Sequence, residues 1–381
     1  MKAVFNYIKG DKVIWVIVLL LSVVSVLVVY SSVMALAYRS HSGDANYYLI
    51  KHTTIVLFGF LIIYLTHNIK YTYYSRISQV ALYISVPLLL FTLLKGVHEG
   101  NATRWLEIPG TGLTFQTSDF AKLALIIYVA RMLALKQDAI KNWRNGFLPA
   151  IIPVIVVCGL IFPSNFSTAF LLFITCMFLM FIGGAAIKHL LLTLGMAAAG
   201  AGVFILLVFA FPHINNRVAT WKSRIENFTG NNKADNYQAD QAMIAIATGG
   251  PLGKGPGNSV EKNFLPQASS DFIYAILVEE YGMVMGIAVV FLYLTLLFRG
   301  VSIATRNPKT FGSLLAIGLS LSLVMQALVN MAVAVHLLPV TGQPLPLVSM
   351  GGTSIWFTSV AIGIILSVSK ETETENIVGT T

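Results

Sequence analysis

The chain has 381 residues, 56% of them hydrophobic and only 11% charged, with a formal net charge of +9 at pH 7. A soluble domain carries about a quarter charged residues, so the composition excludes a water-soluble globular protein and points to a polytopic membrane protein. The surplus of Lys and Arg is scattered over short loops between apolar runs, which argues against nucleic acid as a partner and for a membrane-orientation signal.

A membrane crossing takes about 20 mostly apolar residues. Ten such runs follow one another: 13–36, 52–67, 77–94, 117–135, 147–162, 166–184, 189–211, 271–298, 310–337 and 352–369. The expected fold is an all-α bundle of about ten transmembrane helices, forming a single membrane domain over 1–381. One long outer loop, about 212–270, precedes the eighth crossing, and the short acidic tail 370–381 reads as unstructured. Ala35-Leu36-Ala37 mimics a signal-cleavage site. The run before it is longer than the roughly 7–15 residues of a signal core, so it reads as an uncleaved first crossing. Cys158 and Cys176 lie inside apolar runs and read as small buried hydrophobes.

With the N-terminus in the cytoplasm, that side receives Lys2, Lys9, Lys12, Lys70, Arg76, Arg131, Lys136, Lys141, Arg144, Lys188, Arg299, Arg306, Lys309 and Lys370. The short outer loops and their margins hold only Arg39, Lys51, Lys95 and Arg104. That bias fixes both termini in the cytoplasm. Six further basic residues, Arg217, Lys222, Arg224, Lys233, Lys254 and Lys262, fall in the long outer loop. They fit either an anionic partner at the outer surface or ordinary solvated charge.

Asp119 and Lys122 in "FQTSDFAKL" stand three apart on one face of the fourth crossing. Charges inside a crossing face a bundle interior or a wet cavity and generally have a partner, so the two read as an ion pair or as part of a substrate cavity. The stretch "GGPLGKGPGNS" (249–259) superficially suggests a phosphate loop, but Thr248 and Gly255 occupy positions where a Walker loop needs Gly and Ser or Thr. It reads as a flexible turn. In "LPQASSDFIYAILVEEYG", Ser269 and Ser270 are N-cap candidates that would place Asp271 in the first turn of the eighth crossing. Glu279 then lies about 12 Å along the axis and about 80° round from Asp271, with Glu280 on the opposite side. No second carboxylate is close enough to flank one glycosidic bond with Asp271. If Asp271 does chemistry it acts alone at the outer surface, and the two Glu bind polar groups within the bundle. Asn330 and His336 end the ninth crossing, and a Pro-rich outer or re-entrant loop leads to Gly351-Gly352.

Four stretches in this order, "RWLEI" with "FQTSDFAKL", "YQADQAMIAIATGGPLGKGPG", "LPQASSDFIYAILVEEYG" and "LLPVTGQPLPLVSMGGTS", resemble the SEDS family of shape, elongation, division and sporulation proteins, which includes FtsW, RodA and SpoVE. The resemblance covers essentially the whole chain, and Leu265-Pro266-Gln267-Ala268 places it nearer the division branch, FtsW, than RodA. It implies a glycosyltransferase that polymerises lipid II into peptidoglycan strands at the outer face of the cytoplasmic (inner) membrane. The implied partners are a class B penicillin-binding protein transpeptidase and other divisome proteins. The family's essential Asp falls on Asp271, and its acidic–Lys pair falls on Asp119 and Lys122, with Asp where Glu is usual. The candidate substrate-binding residues around the catalytic Asp271 are Arg104, Asp119, Lys122, Lys262, Glu279, Asn330, His336 and Ser349. A departure stands in "FPSNFSTA", where Asn165 and Ser167 replace the usual Asp and Gly, so a charge-dependent role there is in doubt. An inverting displacement needs one base for the acceptor hydroxyl and positive charge on the leaving diphosphate. Arg104, Lys122 and Lys262, or a divalent cation such as Mg or Mn, are the candidates for that charge. The competing readings are a lipid II flippase and a structural divisome scaffold.

Overall fold

The computed structural model describes residues 9–34, 45–99, 102–108, 113–210 and 237–378. Each of the ten apolar runs falls on a helix. In chain order these are α1 (Lys12–Ser32), α2 (Ala45–Asn68), α3 (Tyr71–Lys95), α4 (Thr117–Leu135), α5 (Leu148–Ile161), α6 (Phe166–Ile182) and α7 (Ile187–Ala210). After the shorter α8 (Tyr237–Gly249) come α9 (Ile273–Arg306), α10 (Thr310–Ala334) and α11 (Gly352–Val378). Among the described residues, seven helical segments are long and apolar enough to cross a membrane.

The inward face of α1 shows why these sequences make a bundle. Ile14, Ile17, Val18, Leu21, Ser25, Val28 and Ser32 recur at steps of three and four and are buried, whereas Val16, Leu20, Val23 and Leu27 face outward. An outward face this apolar suits hydrocarbon rather than water. Small polar residues on the inward face (Ser22, Ser25, Ser31, Ser32) let helices approach and hydrogen-bond. At the start of α1, Asp11 Oδ1 accepts from the amides of Val13 and Ile14 at 2.9 and 3.2 Å. Its Oδ2 pairs with Arg299 of α9, which ties the two helix ends together. Helices α2 and α11, α9 and α10, and α3 and α4 are principal packing partners. Cys158 and Cys176 are buried free thiols, as their neighbours suggest.

Three expectations need correction. The segment between α3 and α4 is more than a loop: β1 (Val97–Glu99), β2 (Ala102–Ile108) and β3 (Leu113–Gln116) form a three-stranded antiparallel sheet in the order β1-β2-β3. Trp105 and Ile108 of β2 pair with Gln116 and Leu113 of β3. The acidic tail is helical up to Val378, because its first turn is tied down. Asn307 Nδ2 donates to the buried Thr372 Oγ1 at 2.7 Å, and Lys370 Nζ reaches Asn68 Oδ1 at 3.2 Å. The described part of the long loop before α9 carries α8, and residues 250–271 after it form a turn-rich segment hydrogen-bonded to α9. Arg217, Lys222, Arg224, Lys233 and the Ala35-Leu36-Ala37 stretch lie outside the described residues.

The glycine-rich stretch is locked in place. Gly282 breaks α9 with φ +81°, ψ 172°, and a break frees backbone groups that must find partners elsewhere. The freed Glu279 and Glu280 carbonyls accept from the Lys254 and Gly255 amides, both at 2.9 Å, and the Met283 amide donates to Gly250 O at 2.9 Å. At Gly253, also left-handed at φ +80°, an added Cβ would stand 2.3 Å from Glu280 O. Gly253→Ala is therefore expected to detach this stretch and destabilise the protein by about 2 kcal/mol or more. Thermal unfolding in detergent is the check, and an unchanged midpoint would refute the contact.

Candidate functional site

Asp271 sits half-buried in the turn that leads into α9. The helix starts at Ile273 with Phe272 as N-cap and no side-chain cap. The expected first-turn position for Asp271, capped by Ser269 or Ser270, is thus corrected: Ser270 Oγ bonds back to Gln267 Oε1 at 2.7 Å. What fixes Asp271 is its backbone. The Ser269 carbonyl accepts from the Met350 amide at 2.9 Å. The Ser270 carbonyl accepts from Ser349 Oγ at 2.5 Å, and the Asp271 carbonyl from Asn330 Nδ2 at 2.8 Å. Three successive carbonyls are gripped by the 349–350 loop and by α10, leaving the carboxylate to project from a fixed platform.

Arg104 of β2 completes the site. Its Nε donates to Ser164 O at 3.1 Å, in the turn before α6. A Cβ built on Gly342 would lie 3.5 Å from both Arg104 Nη1 and Asp271 Oδ2. Guanidinium and carboxylate therefore converge on one glycine, itself left-handed at φ +66°, a conformation glycine adopts without steric cost. Asn165 caps α6 by accepting from the Thr168 amide at 3.2 Å. A neutral amide is sufficient for that task.

Among the described residues, three other than glycine adopt positive φ: Gln267 (64°), His336 (57°) and Leu347 (63°). All three lie in the segments that frame Asp271. Such conformations cost of order 1–3 kcal/mol each and persist where surrounding contacts over-determine them. For His336 the reason is local. The Leu337 amide bonds Ala332 O at 2.8 Å and the His336 amide bonds Val333 O at 3.0 Å, which makes His336 the left-handed residue of a Schellman motif ending α10.

The other expected residues are placed elsewhere. Lys262 is buried and donates to Gly257 O at 2.6 Å and Ser31 Oγ at 3.3 Å. Glu279 accepts from Lys254 Nζ at 2.6 Å, from the Val260 amide at 3.0 Å and from Ser259 Oγ. Glu280, expected on the opposite side, accepts from the Ser259 amide at 3.3 Å and from Ser31 Oγ. Both carboxylates thus clasp one turn of the loop that precedes α9, because that loop folds over α9 at its break. Glu261 belongs to the same cluster, and burial followed by the nearby Glu279 charge pushes its pKa up. Ser349 accepts from the Leu345 amide at 2.7 Å while donating to Ser270 O, so it serves as a clamp on the platform.

Asp119 and Lys122 do pair, at 3.3 Å. The cavity they line, with Ser322, Ser354 and Thr358, holds only about 20 Å³, room for about one water. Among the described residues no three His, Cys, Asp or Glu side chains gather into a metal-binding group. The residues that the sequence did not single out are Gln343 and Gln326, lone amides near and inside apolar runs. Gln343 Nε2 donates to Thr168 Oγ1, and its carbonyl shares the Asn330 amide with Asp271 O.

The architecture is that of a multi-pass helical membrane protein whose carboxylate and guanidinium meet beside a proline-rich loop. The model of the family described as "Cell cycle protein", that of FtsW, RodA and SpoVE, matches residues 11–374, and the chain belongs to this family. It is 31% identical over 369 residues to stage V sporulation protein E of Bacillus subtilis, covering 94% of this chain and 97% of that protein. It is also 31% identical over 365 residues to a probable peptidoglycan glycosyltransferase FtsW of Halomonas elongata, covering 94% of this chain and 90% of the relative. A solved structure described as "Structural coordination of polymerization and crosslinking by a peptidoglycan synthase complex" contains a chain that matches with TM-score 0.76. At 23% identity over 95% of this chain and 98% of that one, this match establishes the fold.

Proposed function

We propose that the chain is a peptidoglycan glycosyltransferase that uses Asp271 as its base. The observation that carries this reading is the convergence of the Asp271 carboxylate and the Arg104 guanidinium at Gly342, on a platform held by three successive carbonyls. The substrate is lipid II, an undecaprenyl-diphosphate-linked disaccharide peptide. The acceptor hydroxyl attacks the anomeric carbon of the donor, the bond to the diphosphate breaks, and undecaprenyl diphosphate leaves with inversion. Asp271 takes the hydroxyl proton, and Arg104 offers planar, multidentate donors to the departing phosphates. Lys122 donates to Gln326 Oε1 and Lys262 to Gly257 O, so this reading gives the diphosphate to Arg104.

The charge bias puts both termini in the cytoplasm and Asp271 at the outer face of the cytoplasmic membrane, with ten crossings in one membrane domain. A class B penicillin-binding protein crosslinks the strands, and the setting is septal wall synthesis with other divisome proteins. The transporter reading relied on intramembrane charges that would line a path. Asp119 and Lys122 instead close on each other around a cavity far smaller than a sugar. Labelled lipid II incubated in detergent with the purified chain and its penicillin-binding partner, the partner's own active site blocked, should yield long glycan strands. Transbilayer movement in sealed vesicles without strand formation in detergent would overturn the enzyme reading.

A further inference from the structure

The proline-rich loop 339–350 has almost no backbone ladder of its own. Its internal hydrogen bonds are those from the Val348 and Ser349 amides to Leu345 O, at 3.1 and 2.9 Å, and from the Leu345 amide to Ser349 Oγ at 2.7 Å. Its carbonyls are instead held by side chains from three helices. Asn330 Nδ2 takes Gln343 O at 2.7 Å and Gln326 Nε2 takes Pro344 O at 2.8 Å. Tyr293 Oη donates to Pro346 O, and Ser25 Oγ to Val348 O at 2.8 Å. The loop is suspended from α1, α9 and α10, and through Ser349 and Met350 it carries the Asp271 platform. Gln326 differs from the other holders. Its Oε1 accepts from Lys122 Nζ at 2.8 Å, so one buried amide joins the Asp119–Lys122 ion pair to the loop. Gln326 and Asn330 stand four apart on one face of α10.

We infer that Gln326 is a positioning residue for the transfer step, and that the Asp119–Lys122 pair acts on catalysis through it. Resting on the reading of Asp271 as base, this gives the intramembrane pair a task that needs no substrate contact. Lys122 orients the Gln326 amide so that its nitrogen faces Pro344 O. Gln326 fixes the 343–344 turn, and Asn330 passes that constraint to the Asp271 carbonyl. Displacing a reacting group by about 1 Å from a remote mutation can cost about 10²-fold in rate. A buried amide needs partners in any fold, so hydrogen bonding alone would not distinguish this role from plain support.

The discriminating variant is Gln326→Glu. A glutamate still accepts from Lys122 but has no proton to donate to Pro344 O. With the full chain and its penicillin-binding partner acting on lipid II, Gln326→Glu and Gln326→Ala should both lower kcat at least about tenfold, leaving KM within about twofold. Gln326→Glu should lose some thermal stability, because Pro344 O is left without a donor, yet remain folded and monodisperse at the assay temperature by circular dichroism and size-exclusion chromatography, which removes unfolding as the explanation. In the protein alone, amide hydrogen exchange should accelerate in 345–350 and 269–272 for Gln326→Glu but not in α1 or α3. A wild-type kcat in Gln326→Glu would overturn the inference. So would a rise in KM at constant kcat, which marks substrate contact, or unchanged exchange in both segments. If exchange loosens as described while wild type makes no strands, the mechanical link stands and the glycosyltransferase reading falls.

Discussion

Asp271→Asn is expected to reduce strand formation from lipid II by at least about 10²-fold, the usual contribution of a positioned base, while the protein remains folded. The substitution keeps the side-chain shape and spares the three carbonyl clamps on Ser269, Ser270 and Asp271, which use backbone oxygen only. Thermal stability should therefore barely change. Asp271→Glu keeps a base but moves it by one methylene relative to Arg104, so partial activity is expected, above Asn and below wild type. Activity of the Asn variant near wild type would refute the base assignment.

The second large effect belongs to Asp119 and Lys122. Breaking a buried ion pair by removing one partner costs about 3–5 kcal/mol at full burial. With side-chain exposures of 17% for Lys122 and 7% for Asp119, the cost should fall towards the lower end. Lys122→Met should therefore lower the melting temperature and the rate together. Combining it with Asp119→Leu removes the stranded charge and should restore most of the stability. The rate should stay low, because the donor that orients Gln326 is still missing. Equal stability of the single and double variants would show that the two residues are not coupled.

The helices were legible because apolar runs of membrane length leave few alternatives, and the Asp119–Lys122 pair because helical spacing of three puts both on one face. Asp271 was identifiable as a lone carboxylate where an apolar run begins. Its mode of support was not, because Ser349, Met350 and Asn330 reach it across long sequence separations. The partners of Glu279 and Glu280 were hidden for a similar reason. Regular helix geometry sends them apart, but the break at Gly282 and the fold-back of 249–262 bring one turn to both. The sheet was missed because "ATRWLEI" is a single short strand whose partners, β1 and β3, are shorter still. Gln326 and Gln343 gave only a faint signal, as lone amides beside apolar residues.

The central claim is that this chain, through Asp271, joins sugars, and direct measurement of both products tests it. Purified wild type with its penicillin-binding partner, blocked at the partner's own active site, should convert lipid II in detergent to glycan strands. Undecaprenyl diphosphate should be released in step with each bond formed, and Asp271→Asn should give neither product. Equal strand and diphosphate yields from wild type and Asp271→Asn, or none from wild type under conditions where the complex is intact, would contradict it.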